Sequence, residues 1–166
     1  MEFWDVLDTN GNKTGKIIER GELFTKDEYH LVVHVWLKNS NNEFLISKRT
    51  PNKTFPNMWD TVGGSAIAGE SSIIAAVREV EEEIGLKLNK NDGHLITRLK
   101  RNIYAVNDFV DVWIFLCEAK ISELIYKPDE VNDAKWADKD TIKDMIKRGI
   151  MVDVYTYIEE VFNYVP

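Results

Sequence analysis

Short β-branched and apolar runs alternate with polar turns in the first part of the chain, a pattern that predicts strands joined by hairpins. The predicted strands are residues 3–7, 14–19, 30–37 and 43–49. The pair Asn10-Gly11 in the first connection is typical of a tight turn between antiparallel strands. The polar run at 39–42 predicts the turn of a second hairpin. The segment 19–29 predicts a loop with a short helical turn near Leu23.

A helical period replaces this strand pattern in the middle of the chain. Apolar side chains recur on one face at Ile73, Val77, Val80 and Ile84. This spacing predicts a helix over 73–84 that packs the apolar face on the core. Gly85 follows directly and is typical of a helix end, because glycine adopts the left-handed conformation of a C-cap without strain.

The second half of the chain predicts more strands and then two helices. The predicted segments are strands at 94–104 and 109–119, a loop leading into a short strand at 128–136, and helices at 138–147 and 152–163. Asp138 is placed to cap the first of these helices, and Gly149 lies just past its end. The last helix is predicted because four apolar residues share one face of it: Val154, Ile158, Val161 and Phe162. The order of elements predicts a mixed α+β domain.

Length and composition are those of a soluble globular protein. With 166 residues, 44% of them apolar and 30% charged, we expect one domain over 1–166, with residues 1–28 as its N-terminal hairpin and loop. The net charge of −7 argues against a nucleic-acid polymer as partner, because such binding needs clustered Lys and Arg. The single cysteine excludes an internal disulfide, and no apolar run is long enough to span a membrane. We therefore expect a cytoplasmic monomer or homodimer with no membrane partner.

A cluster of carboxylates lies on the helix face opposite the apolar one. Glu79, Glu82 and Glu83 fall within an arc of about 100°, close to the negative end of the helix. Like charges at this spacing repel by about 0.2–0.5 kcal/mol per pair. A hard divalent cation such as Mg²⁺ would reverse the sign of that interaction, since it takes oxygen ligands. Taken alone, a run of glutamates is more typical of a solvated face.

The segment from Gly64 to Leu86 carries a longer pattern that favours the metal. It reads Gly, five residues, Glu, seven residues, then Arg-Glu-apolar-any-Glu-Glu-any-Gly-apolar. This pattern resembles the Nudix box at every defined position, and we call residues 64–86 the box. The resemblance implies an α/β/α sandwich with a mixed sheet, and hydrolysis of a diphosphate linked to another moiety. It also implies Mg²⁺ as cofactor, with Mn²⁺ as a substitute.

The resemblance implies roles for particular residues of the box. Glu79, Glu82 and Glu83 would bind the metal through their carboxylates, and Gly64 would bind it through its carbonyl oxygen. Arg78, counted with the catalytic residues, would form an ion pair with Glu70 that fixes the loop against the helix.

Residues 4–86 are similar to the Nudix branch that contains type I isopentenyl diphosphate isomerase and hydrolase-like bacterial relatives. That similarity implies that Arg49 and Lys53 hold the diphosphate of a small-molecule substrate, although two cations at a strand end can also be surface charge. It further implies that Glu130 approaches the metal or acts as general base, the alternative being a solvated loop acid. Either Glu82 or Glu130 is then the base.

The chain departs from the isomerases of that branch in its proton-transfer residues. Gly63 occupies the position at which they carry a cysteine. Leu23 and Ser65 occupy the positions of two of their three metal-binding histidines, so only the third position, His30, is a histidine here. The box keeps every hydrolytic carboxylate. We therefore expect a hydrolase, with a non-catalytic diphosphate-binding module and an isomerase as the alternatives.

Several other residues admit both a structural and a functional interpretation. His30 and His34 share one face of a strand and are more typical of structural hydrogen bonds than of a metal site. Cys117 lies in an apolar run and is expected to be an inert core thiol. Tyr104 lies near the position of a base-stacking tyrosine in some Nudix hydrolases of dinucleoside polyphosphates.

Overall fold

The strands and helices of the computed structural model, which describes residues 1–103 and 106–166, follow the predicted order closely. The strands are β1 (Phe3–Leu7), β2 (Lys13–Glu19), β3 (His30–Lys38), β4 (Glu43–Arg49), β5 (Trp59–Asp60), β6 (Val62–Ser65), β7 (His94–Ile103), β8 (Val106–Leu116) and β9 (Val131–Asp138). The helices are α1 (Ser72–Ile84), α2 (Lys139–Lys147) and α3 (Ile158–Phe162), with single 3-10 turns at Lys90–Asp92 and Ile121–Glu123. Tyr104 lies outside the described residues.

The central strand β3 holds the main sheet together. It runs parallel to β8 from His30↔Asp108 to Lys38↔Leu116, and antiparallel to β6. Strand β7 pairs antiparallel with β8, so the sheet is mixed, as expected for the α+β class. Strand β4 pairs with β5 and β9 and meets β3 at one residue pair, Lys38↔Phe44. The second predicted hairpin is therefore confirmed only at its closed end, because the two strands diverge toward different partners.

Two buried clusters lie on opposite faces of the sheet, as two-residue alternation along β3 requires. Val33, Val35 and Leu37 point toward α1, while Trp36 points toward α2 and α3. Val80 and Ile84 of α1 are fully buried, which stabilises the fold by about 1.5–3 kcal/mol each. This arrangement is the predicted sandwich of a mixed sheet between helices.

The predicted helix ends are confirmed at both long helices. Gly85 ends α1 with a φ of 71°, and its N–H donates to the Glu81 carbonyl oxygen at 2.9 Å. The Asp138 carboxylate caps α2 by accepting from the Thr141 N–H at 2.7 Å. In contrast, no helical turn forms at Leu23, whose side chain is exposed in the described loop 20–29.

The predicted final helix is wrong over residues 152–157. The helix begins only at Ile158, and the preceding segment pairs its backbone with Trp59, whose carbonyl oxygen accepts from the Val152 N–H at 2.9 Å. Tyr155 and Tyr157 are both buried. Residues two apart point about 200° apart on a helix, so a non-helical backbone, here an irregular segment that ends in a turn at 156–157, is needed to bury both side chains in one place. No helix among the described residues is long and apolar enough to cross a membrane.

Candidate active site

Two glutamates of α1 are buried, on the face that the sequence places opposite the apolar stripe. Glu79 is 9% exposed and Glu83 is 6% exposed, so these two carboxylates are not part of a solvated face. Gly64 of β6 lies directly against Glu79. A Cβ atom at this position would lie 2.4 Å from Cδ of Glu79, so only glycine leaves room for the carboxylate there. Glu82 lies nearer the surface, with its side chain 45% exposed.

Arg78 ties the loop of the box to its helix. Its Nε donates to Oε1 of Glu70 at 2.8 Å, and Nη2 donates to the Ser65 carbonyl oxygen at 2.9 Å. Its Nη1 also donates to Oε1 of Glu79 at 2.8 Å and to Oε2 of Glu82 at 3.3 Å. The predicted pair between Glu70 and Arg78 is therefore present, and the same guanidinium also binds two members of the carboxylate cluster, Glu79 and Glu82.

The environment of the two buried carboxylates disfavours their charged forms. Burial raises the pKa of Glu79, and the charges of Glu82 and Glu130 raise it further, while Arg78 acts in the opposite direction. Burial also raises the pKa of Glu83 well above its usual range, with Glu79, Glu130 and Asp60 as the neighbouring negative charges. This concentration of negative charge is unfavourable for the protein by itself.

The donor chemistry of this cluster fits a hard divalent cation. Carboxylate oxygens of Glu79, Glu82 and Glu83 and the carbonyl oxygen of Gly64 are the ligand types that Mg²⁺ and Mn²⁺ take. In the part of the chain that the structure describes, no three His, Cys, Asp or Glu side chains are arranged to hold an ion as they stand. Arg78 binds one carboxylate oxygen of Glu79 and one of Glu82, so each of these side chains keeps a second oxygen for a cation.

The predicted phosphate-binding residues line the same cleft as the carboxylates. The cleft measures about 260 Å³, and Arg49, Lys53, Gly64, Arg78, Glu79, Glu82 and Glu130 all line it. Arg20 and Lys127 line it as well, and sequence reasoning missed both because neither lies near the box in the chain.

Glu130 is held between two lysines of this cleft. Its Oε2 accepts from Nζ of Lys53 at 2.7 Å, and its Oε1 is 2.7 Å from Nζ of Lys127. Burial alone would raise the pKa of Glu130, but the hydrogen bonds from Lys127 and Lys53 outweigh burial and lower it. Glu130 is thus an ion-paired carboxylate, not a solvated loop acid.

Arg49 lies at the boundary between this cleft and a second cavity. Its Nη1 donates to Oδ2 of Asp60 at 2.7 Å, and its Nε donates to the Thr54 carbonyl oxygen at 2.6 Å. The second cavity measures about 480 Å³, and its lining includes His30, His34, Phe55, Arg101, Asp108 and Val152. The sequence gives no local signal of this cavity, since its walls come from distant segments.

Both histidines of β3 make the structural hydrogen bonds that their strand positions favour. Nδ1 of His30 is 3.2 Å from the Asn107 carbonyl oxygen, and Nδ1 of His34 is 2.6 Å from the Tyr157 hydroxyl. Burial lowers the pKa of His30, and it lowers the pKa of His34 from 6.5 to about 3. Burial likewise raises the pKa of the Cys117 thiol, as expected for an inert core cysteine.

The neutral His34 predicts a stability that falls with acid. Below about pH 6.5 the unfolded chain takes up a proton at this histidine, while the folded protein takes up that proton only near pH 3. The free energy of unfolding therefore decreases as pH falls through this window, by up to about 1.4 kcal/mol per pH unit from this group. Urea unfolding at several pH values measures the slope. We expect a smaller slope of unfolding free energy against pH in His34→Gln than in the unmodified protein. Equal slopes in the two proteins would show that His34 titrates normally in the folded protein.

Comparison with known proteins agrees with this geometry. A model of the NUDIX domain matches residues 28–155. A Nudix hydrolase of Listeria monocytogenes is 36% identical over 98% of this chain and 95% of its own length. An isopentenyl-diphosphate Delta-isomerase of Citrobacter koseri is 29% identical over 82% of this chain and 77% of its own length. A crystal structure from Deinococcus radiodurans shares the fold, with a TM-score of 0.77 and 22% identity over 99% of this chain and 100% of that one.

Proposed function

The chain belongs to the Nudix hydrolase family, which acts on a nucleoside diphosphate linked to another moiety, and we propose that it is a Mg²⁺-dependent diphosphohydrolase. One observation carries this proposal. Glu79, a buried carboxylate whose surroundings disfavour its charge, lines the same cleft as the cations Arg49 and Lys53, and Glu83 is buried next to Glu79. A cation and an anionic diphosphate together balance these charges.

The residues of the cleft have separate tasks in this proposal. Glu79, Glu82, Glu83 and the Gly64 carbonyl would hold the cation. The bound cation supplies neutralisation of the phosphate oxygens and lowers the pKa of a water molecule. Arg78 keeps the loop and the helix in register through Glu70 and the Ser65 carbonyl oxygen. Because Arg78 also binds Oε1 of Glu79, it holds that carboxylate in place and leaves its other oxygen for the metal.

Between the two candidate general bases, the geometry favours Glu82. A proton acceptor works best when its pKa is close to the working pH, and the two lysines lower the pKa of Glu130 instead. Among the residues that the structure describes, Glu82 is bound by Arg78 alone, at 3.3 Å, and its side chain is 45% exposed where it lines the cleft. We propose that Glu82 accepts the proton of the attacking water and that Glu130 positions Lys53 and Lys127.

Arg49 and Lys53 are proposed to bind the phosphates of the substrate. Asp60 and Thr54 orient Arg49 without using its Nη2 among the described residues, so that nitrogen is available to an anion. We expect Arg49→Ala to raise KM about tenfold or more, because one charge-assisted hydrogen bond is worth roughly 1.5–3 kcal/mol. Steady-state kinetics with the best substrate measures the change.

Lys48→Ala is the matched control for this prediction. Lys48 precedes Arg49 on β4, and it does not line the cleft as far as the structure describes it. Unchanged kinetics in Arg49→Ala would mean that the cluster is surface charge, and an equal effect in Lys48→Ala would point to a general electrostatic role.

The structure gives a specific reason against the isomerase alternative. Gly63 occupies the position of the isomerase cysteine, and a Cβ atom there would lie 2.4 Å from the carbonyl oxygen of Val33 on the paired strand. A cysteine at this position would require β6 to move away from β3. The local backbone of this chain is thus built for glycine at residue 63.

A screen of diphosphate compounds tests the proposed function. Nucleoside triphosphates, nucleotide sugars, dinucleoside polyphosphates and prenyl diphosphates are incubated with Mg²⁺ or Mn²⁺, and mass analysis of the products identifies the bond that breaks. We expect metal-dependent cleavage of a phosphorus anhydride in at least one class. Binding without cleavage across the whole panel would favour the non-catalytic module instead.

A further inference from the structure

The cavity beside the phosphate cleft is placed to receive the group attached to the diphosphate. Arg49 lines both spaces, so a ligand whose phosphates reach Arg49 from the cleft continues directly into the cavity. His34 and His30 lie four residues apart on the same face of β3, which separates them by about 13 Å along the strand. The cavity, at about 480 Å³, has room for a group of the size of a nucleoside or a hexose.

The charges that line this cavity cancel. Arg49 pairs with Asp60 at 2.7 Å, and Arg101 forms a two-pronged pair with Asp108 at 2.8 Å for both bonds. Burial keeps His30 and His34 neutral. The described residues that line the cavity therefore offer no unbalanced charge for a further phosphate or carboxylate, and they favour an uncharged group.

A short chain of hydrogen bonds fixes the orientation of the proton on His34. The hydroxyl of Tyr157 accepts from Nε1 of Trp36 at 3.2 Å and lies 2.6 Å from Nδ1 of His34. Burial raises the pKa of Tyr157, so its hydroxyl keeps its proton. The hydroxyl proton of Tyr157 is donated to Nδ1 of His34, because Trp36 is itself a donor and cannot accept it. His34 consequently carries its own proton on Nε2.

Nε2 is the ring nitrogen of His34 that the hydrogen bond with Tyr157 leaves for a ligand. Among the described residues no protein group forms a hydrogen bond with this nitrogen, and no buried side-chain nitrogen or oxygen there lacks a partner. Nε2 is therefore accessible, and His34 lines the cavity. His30 has the opposite polarity, because its Nδ1–H donates to the Asn107 carbonyl oxygen and leaves a lone pair on Nε2.

We infer that His34 is a specificity-determining residue that donates its Nε2–H to an oxygen of an uncharged group attached to the diphosphate. The group carries hydroxyl or carbonyl oxygens, as a nucleoside or a hexose does and a prenyl chain does not. Tyr157 is a positioning residue, because it acts on the ligand only through the proton of His34. This inference rests on the proposed function for the placement of the phosphates.

Nuclear magnetic resonance of the histidine rings tests the inference without hydrolysis. The ¹⁵N-labelled protein is observed in EDTA while nucleoside monophosphates, hexose phosphates or isopentenyl diphosphate are added. We expect His34 to be the Nε2–H tautomer, and its Nε2–H signal to move with the nucleoside or the hexose series but not with isopentenyl diphosphate. Which of the two series moves the signal identifies the source of the oxygen.

Variants of His34 test the same inference through kinetics. The quantity compared is a specificity ratio: kcat/KM for the preferred oxygen-bearing substrate divided by kcat/KM for isopentenyl diphosphate. Loss of this hydrogen bond in His34→Leu should lower that ratio about tenfold, mainly through a higher KM for the oxygen-bearing substrate. His34→Gln, which keeps an N–H donor, should recover most of that ratio, and Tyr157→Phe should lower it and mix the tautomers. His94→Leu is the matched control, because His94 is exposed and does not line the cavity as described.

The outcomes separate this inference from the proposed function. An Nδ1–H tautomer, or an unchanged ratio in His34→Leu with hydrolysis intact, would overturn the role of His34 and leave the hydrolase standing. Shifts of the Nε2–H signal by an oxygen-bearing ligand with no hydrolysis of any compound would support the role of His34 and contradict the hydrolase. Shifts by isopentenyl diphosphate alone would overturn the inference.

Discussion

Glu82→Gln is expected to lower turnover at least about a hundredfold, since the change removes both a proposed metal ligand and the proposed general base. The substitution keeps the shape of the side chain and a hydrogen-bond acceptor for Arg78, while it removes the negative charge and the proton-accepting oxygen. The side chain of Glu82 is 45% exposed, so the fold should be retained. We also expect higher thermal stability without metal, because one repulsive charge beside Glu79 is lost. Assays at millimolar Mg²⁺ and a thermal melt in EDTA measure the two effects.

Glu81→Gln is the matched control for this prediction. Glu81 is the preceding residue of the same helix, its side chain is 53% exposed, and it lies 3.5 Å from Lys87 outside the cleft as described. Its substitution should leave turnover within about twofold. Normal turnover in Glu82→Gln would falsify the proposed role, and equal losses in both variants would mean that overall helix charge is responsible.

Arg78→Ala is expected to destabilise the fold by about 3 kcal/mol and to abolish most activity. Removing one partner of a buried ion pair leaves the other charge uncompensated, and Glu79 is only 9% exposed. The substitution also removes the hydrogen bonds from Arg78 to Glu70 and to the Ser65 carbonyl oxygen, which hold the loop of the box. Urea unfolding measures the first effect, and the metal-dependent assay measures the second.

Two further variants make the Arg78 prediction specific. Arg78→Lys keeps the charge but cannot bridge Glu70, Ser65 and Glu79 at once, so it should recover stability more than activity. Lys87→Ala removes an exposed cation 3.5 Å from Glu81 and should change stability by less than about 0.5 kcal/mol. If Arg78→Ala were as mild as Lys87→Ala, the guanidinium would be a surface group without a structural role.

Much of the fold and the carboxylate cluster could be predicted because their signals are local. The turn at Asn10-Gly11, the helix end at Gly85 and the cap at Asp138 each depend on a few neighbouring residues, and the structure contains all three. The ion pair of Arg78 with Glu70 follows from the pattern of the box. The resemblance also assigned Arg49, Lys53 and Glu130 to the site. All three line the cleft, although Glu130 lies far from the other two in sequence.

The remaining features depend on contacts between distant segments. The helical spacing of Val154 with the apolar residues after it predicts a helix over 152–157, but this segment is not helical, because Asp60 and His34 provide hydrogen-bond partners for Tyr155 and Tyr157. Glu83 is buried near Glu130 and Asp60, which come from other segments of the chain, so the helical period alone does not indicate its burial. Lys127 reaches the cleft through the path of the chain after α1, so its role had no sequence signal.

The central claim is that this chain uses a divalent cation to hydrolyse a diphosphate and does not isomerise one. The most direct measurement is ³¹P and ¹H nuclear magnetic resonance of the purified protein with nucleoside diphosphate compounds and isopentenyl diphosphate, first in EDTA and then in excess Mg²⁺. The account predicts no product in EDTA, and after Mg²⁺ the appearance of phosphate or monophosphate products without any dimethylallyl isomer. Formation of dimethylallyl diphosphate at enzymatic rates, or cleavage that is undiminished in EDTA, would contradict it.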